Sequence, residues 1–109
     1  MLQIKKYRRG LTDLCRNNAA VNKIYLFGSA LSQEFDEKRS DIDVLVEVAE
    51  LPPEERGESL IALWDGLELL FRRRVDLLTE TSLRNPFLKK EVEQTKKLIY
   101  DRQSGKIFI

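Results

Sequence analysis

The stretch Asp41-Ile42-Asp43-Val44-Leu45-Val46-Glu47-Val48 decides how this chain is read. Its centre is a run of aliphatic, mostly β-branched residues, which favours a strand. Its front half alternates an acid with an apolar residue, the pattern of a strand with one polar face. Asp41 and Asp43 then share a face, about 6–7 Å apart along the backbone, while Ile42 points the other way. Crowded carboxylates beside apolar neighbours repel and resist ionisation, so a metal or an arginine is expected to meet them.

Upstream, Lys23-Ile24-Tyr25-Leu26-Phe27 reads as a short buried strand that stops at Gly28. Gly28-Ser29-Ala30 opens a short helical segment carrying Leu31 and Phe35, and Asp36 to Ser40 reads as an exposed loop. Glycine permits close backbone approach, and the free N–H groups at a helix start favour phosphate. Before this strand, Ile4, Tyr7, Leu11, Leu14 and Cys15 recur at helical spacing, predicting an amphipathic helix over 3–17. Asn17 and Asn18 are its expected stop, as residues that tolerate the left-handed conformation.

Downstream, Leu51-Pro52-Pro53 breaks the acidic strand, and Glu54-Glu55 suit the positive end of a new helix. Leu60, Leu63, Trp64, Leu67, Leu70 and Phe71 form its apolar stripe; Ile61 and Leu69 widen it and predict burial on more than one side. Within such a stripe Trp64 is expected to be core. Arg74-Val75-Asp76-Leu77-Leu78 predicts a third strand. Asn85-Pro86 is a cap followed by proline at the first helical position, and Leu88, Val92, Thr95 and Ile99 continue that helix. The tail 104–109 holds a turn signal and three apolar residues. Helices alternate with strands, which predicts one α/β or α+β domain over 1–109 with a small mixed sheet flanked by helices.

Composition narrows the chemistry. The 109 residues include no histidine and one cysteine, Cys15. Histidine-based triads, histidine metal sites, cysteine clusters for zinc and internal disulfides are all excluded. Acid–base and metal chemistry must come from carboxylates. The formal net charge of +1 gives no global field for a polyanion, so direct nucleic-acid binding is not expected. No segment has the roughly 18 apolar residues of a membrane span, and no signal-peptide core follows Met1 to Arg9, so a cytoplasmic protein is expected.

An acid pair without histidine suits Mg²⁺, a hard cation that takes one or two carboxylates and fills its shell with water and phosphates. If the strand carrying Asp76 lies beside the one carrying Asp43, three carboxylates gather around two ions. That arrangement clamps both oxygens of an in-line phosphoryl displacement.

Leu26-Phe27-Gly28-Ser29, eleven residues, then Asp41-Ile42-Asp43-Val44-Leu45-Val46, together with Arg74-Val75-Asp76-Leu77-Leu78-Thr79 and the Asn85-Pro86 helix start, resembles the DNA polymerase β-like nucleotidyltransferase superfamily, in particular its minimal nucleotidyltransferases. The resemblance runs from about Val21 to Tyr100, with the last helix ending near Leu98-Ile99-Tyr100. It implies the polymerase β-like fold, Asp41, Asp43 and Asp76 as ligands of catalytic Mg²⁺ (two ions), and Asp76 as candidate general base. It also implies that Gly28 and Ser29 hold the phosphates of a nucleotide, ATP. Many minimal members are antitoxins paired with helical HEPN toxins, some silencing the toxin by attaching AMP to a tyrosine. An adenylyltransferase antitoxin in a hetero-oligomer with such a toxin is therefore implied. Relatives often continue after Gly-Ser with a basic residue and a glycine, whereas this chain has Ala30-Leu31-Ser32-Gln33-Glu34. That difference motivates an alternative, an antitoxin that neutralises by contact alone. A small-molecule transferase is a third reading, disfavoured by the chain's length.

Plainer roles stand beside these. Asp41 and Asp43 can face solvent on an edge strand, and Asp76 can pair with the preceding arginines. Arg72, Arg73 and Arg74 can complement a helix dipole instead of meeting a triphosphate. Lys89, Lys90, Lys96 and Lys97 read as a solvated helix face.

Overall fold

The computed structural model describes residues 2–36 and 38–109; Met1 and Glu37, the latter inside the expected 36–40 loop, lie outside them. A 3₁₀ turn, Ile4–Tyr7, leads into helix α1 (Arg8–Arg16), followed by β1 (Val21–Phe27), a 3₁₀ turn at Gly28–Leu31, and β2 (Ile42–Val48). Helix α2 (Pro53–Phe71), β3 (Val75–Thr79), a 3₁₀ turn at Glu80–Ser82, α3 (Pro86–Thr95), β4 (Lys97–Asp101) and β5 (Lys106–Ile107) complete the order.

The five strands form one mixed sheet in the order β3-β2-β1-β4-β5. Only β2 and β3 run parallel, as their connection through α2 requires; the other neighbours are antiparallel. This is the expected mixed sheet flanked by helices. Alternation along β2 divides the core. Ile42, Val44 and Val46 pack with Leu11, Cys15, Leu63, Leu67 and Phe71 of α1 and α2. Leu45 packs on the opposite face with Phe27, Leu83 and Val92 under α3. Asp43 lies on that second face, one step from Leu45.

The predicted caps divide. Asn85 Oδ1 accepts hydrogen bonds from Phe87 N–H at 2.9 Å and Leu88 N–H at 3.3 Å, so the α3 start is as read. Asn17 ends α1 with φ −87°, not left-handed. Asn18 instead donates from Nδ2 to the Ser59 carbonyl at 2.9 Å, tying the end of α1 to α2.

Three expectations are corrected. The last helix stops at Thr95, where Lys96 turns extended (φ −60°, ψ 143°), and Ile99 lies on β4. Ile99 is fully buried and its strand pairs with β1 in the sheet interior, a burial that outweighs the helical spacing of Leu88, Val92 and Thr95. Lys96 and Lys97 accordingly leave the helix face: Lys96 pairs with Glu93 at 3.0 Å and lies 4.3 Å over the Tyr25 ring. Ile61 and Leu69 do not bury a second side of α2, being 59% and 78% exposed. The tail turns back at Gly105 (φ +68°) and adds β5 to β4.

Candidate active site

Parallel pairing of β2 and β3 sets Asp43 directly opposite Asp76, with Phe27 opposite Asp43 across the antiparallel β1. Asp76 thus joins Asp43 through strand register, not through sequence proximity. The Asp76 carboxyl lies close enough to act directly on that of Asp43. Burial foremost, then the charge and hydrogen bond of Asp76, and least the charge of Asp41, push Asp43 up to about 6; the Ser29 backbone N–H opposes them.

Asp41 stands one residue before β2 and is half-buried. Its carbonyl accepts a hydrogen bond from Ser29 Oγ at 3.2 Å. The Gly28–Ser29 turn is therefore tied to the acidic strand at two points, the Asp41 carbonyl and the Asp43 carboxylate. Gly28 has φ +66°, and a Cβ there would collide with Asp43 Oδ2. A side chain at this position is strained by the backbone and would have to displace the Asp43 carboxylate. The helical segment expected after Gly28 is a single four-residue 3₁₀ turn, too short to carry much dipole.

The donor set can be weighed against a cation. Among the described residues, no three acidic, histidine or cysteine side chains lie close enough to hold an ion as they stand. Asp43 and Asp76 do face each other across β2 and β3, however, and a divalent cation would relieve the repulsion and burial that raise Asp43. Magnesium asks for only one or two protein carboxylates and no nitrogen or sulfur. The residues fit that ion.

Trp64 is the residue that sequence reasoning misplaced. It is 45% exposed rather than core, and its indole N–H donates to the Val75 carbonyl at 2.8 Å. One turn further along α2, a Glu68 carboxylate oxygen accepts from Val75 N–H at 2.9 Å. Both outward backbone groups of Val75 are thereby satisfied, which closes the edge of β3 beside Asp76. The available signal was the spacing of Trp64 and Glu68, four apart on one helix face, and the need of a tryptophan N–H for a partner. Trp64 and Leu88 line an open cleft of about 500 Å³ with Phe27, Asp43, Val75 and Asp76.

The arginine run is split up by the backbone. Arg72 caps α2 in the left-handed conformation (φ 54°), and the Arg73 guanidinium lies 5.1 Å from the Phe35 ring centre. The Arg74 carbonyl accepts from Ile42 N–H at 3.0 Å, starting the β2–β3 pairing that aligns the acids.

Comparison with known proteins adds to this geometry. The family model described as "Polymerase beta, Nucleotidyltransferase" matches residues 10–105. Two proteins of Methanocaldococcus jannaschii, each provisionally named a protein adenylyltransferase, are 37% and 36% identical over 98 residues, covering 90% of this chain and 94% of theirs. Among solved structures, a toxin–antitoxin with AMP-PNP is similar at 28% identity and a TM-score of 0.60, covering 89% of this chain and 76% of that one. A structure provisionally named a minimal nucleotidyltransferase matches at 26% identity and a TM-score of 0.59, covering 85% and 88%. A tri-AMPylated Shewanella oneidensis HEPN toxin in complex with MNT antitoxin matches at 27% identity and a TM-score of 0.54, covering 92% and 74%.

Proposed function

The chain belongs to the polymerase beta nucleotidyltransferase family, and we propose that it transfers AMP from ATP, with Mg²⁺, to a tyrosine hydroxyl of a helical HEPN-type toxin with which it assembles. The observation that carries this reading is the Asp43–Asp76 contact across β2 and β3, beside the Gly28–Ser29 turn. The toxin–antitoxin relatives, one with AMP-PNP and one with an AMPylated toxin, support the nucleotide and the partner.

Asp41, Asp43 and Asp76 would hold magnesium, which when bound neutralises the triphosphate and the departing pyrophosphate. The chain's own groups do the rest. Asp76, exposed at the sheet edge, takes the proton of the acceptor hydroxyl on its carboxylate. The freed oxygen forms a bond to the α-phosphorus, and the bond between that phosphorus and the bridging oxygen breaks, releasing pyrophosphate. Ser29 orients the terminal phosphates by exchanging its bond to the Asp41 carbonyl for one to phosphate.

That same bond favours a second reading. The Ser29 hydroxyl and N–H are already engaged by Asp41 and Asp43, as befits an antitoxin that acts by contact alone. Mass spectrometry of the partner toxin after incubation with Mg²⁺-ATP separates the two. Transfer predicts an AMP-sized increment on a tyrosine, lost with Asp43→Asn. Full neutralisation by an Asp41→Asn/Asp43→Asn double variant, with no increment from the wild type, would establish contact alone.

A further inference from the structure

Resting on the transferase reading above, we propose that Trp64 and Leu88 form the acceptor subsite and select a phenolic hydroxyl over an aliphatic one. The order of parts across the sheet end carries the argument. The phosphate turn closes β1, Asp43 lies on β2 and Asp76 on β3, which is the edge strand. Neighbouring strands are about 4.8 Å apart, so the turn and Asp76 are separated by roughly 10 Å. A triphosphate held at Gly28–Ser29 leaves the Asp76 side for the acceptor. Among the described residues β3 is the edge strand, and Trp64 of α2 and Leu88 of α3 line the cleft together with Asp76.

The Trp64–Leu88 wall of the cleft is apolar, exposed and partly rigid. Trp64 and Leu88 are 45% and 40% exposed, and the indole is pinned by its bond to the Val75 carbonyl. An aromatic ring offers such a wall a large apolar surface and stacking geometry, with its hydroxyl projecting beyond the ring. A serine or threonine side chain offers neither. The phenol loses its proton to Asp76, its oxygen bonds to the α-phosphorus, and pyrophosphate departs with the electron pair of the broken bond.

Trp64 is the chain's one tryptophan, so its fluorescence reports the subsite directly. Titration with N-acetyltyrosinamide, excited where only tryptophan absorbs, is expected to change the emission, and N-acetylserinamide to leave it unchanged. Leu88→Ala is expected to weaken that binding severalfold. With Mg²⁺-ATP, Trp64→Ala is expected to raise KM for the tyrosine acceptor roughly tenfold, the usual worth of a hydrophobic pocket contact, while KM for ATP holds. Trp64→Phe keeps the ring but loses the N–H, and is expected to retain most of the acceptor affinity.

A rise in KM for ATP instead would make Trp64 a base platform and overturn the proposal. So would a Trp64→Phe defect equal to that of Trp64→Ala and confined to kcat, since Trp64 would then merely pin β3. Transfer to both amides without preference removes the subsite and leaves the transferase standing. A selective fluorescence response with no transfer to any acceptor keeps the subsite and removes the transferase.

Discussion

Replacing Asp43 with asparagine should stabilise the metal-free protein while abolishing transfer. Burial and neighbouring acids raise Asp43 from 3.8 to about 6. Between those values the folded state binds more protons than the unfolded one, so stability falls as pH rises from about 4 to about 6. Above that the loss is complete. A shift of about 2 units corresponds to at most about 3 kcal/mol. Asp43 is only partly buried, and solvent screening reduces this to about 1 kcal/mol. The substituted side chain carries no charge, donates from its amide nitrogen to Asp76, and keeps an oxygen to accept from Ser29 N–H. For a domain of this size, about 1 kcal/mol corresponds to a melting-temperature rise of roughly 4 °C. The assay is thermal unfolding of both proteins in EDTA at pH 8 and at pH 5, then at pH 8 with excess Mg²⁺. The variant should melt higher at pH 8, the gap should shrink at pH 5, and magnesium should raise the wild type alone. A variant that melts lower in EDTA at pH 8, or by an equal margin at both pH values, refutes the reasoning. Asp43 would then be a structural residue and not a charge held at a cost.

Gly28→Ala combines a left-handed backbone with a collision against Asp43, and should cost about 1–3 kcal/mol in a melt together with loss of ATP binding in a titration. Asn85→Ala removes the acceptor for two α3 amides and should lower stability by about 1 kcal/mol in urea unfolding. Magnesium affinity measured calorimetrically should be flat above pH 7 and fall as pH drops through about 6, where Asp43 takes up its proton. Binding that strengthened on acidification would contradict the carboxylate site.

The strands and caps with local signals were legible. The β2 alternation, the Gly28 stop and the Asn85-Pro86 start each depend on neighbours within a few residues. β4 was not, for a specific reason. Leu88, Val92, Thr95 and Ile99 continue one helical period, and neither glycine nor proline marks the break at Lys96. The opposing signal lay further on. Leu98-Ile99-Tyr100 and Ile107-Phe108-Ile109 flank the Ser104-Gly105 turn as two strands of a hairpin do.

The site divides along the same line. Asp41 and Asp43 share a face by local geometry, but the meeting of Asp43 with Asp76 depends on parallel register between strands more than thirty residues apart, which α2 sets by its length and by the bonds from Trp64 and Glu68 to Val75. The stripe on α2 was read correctly as apolar; Leu63, Leu67 and Phe71 are buried. What periodicity does not contain is that β3 is an edge strand, so the flank of the stripe has no strand to cover it. Trp64 therefore overhangs the edge, where one ring both caps the Val75 carbonyl and lines the cleft beside Asp76. An exposed tryptophan whose N–H is bonded to the strand bearing an acid is thus better evidence for a site than the apolar pattern in which it was embedded.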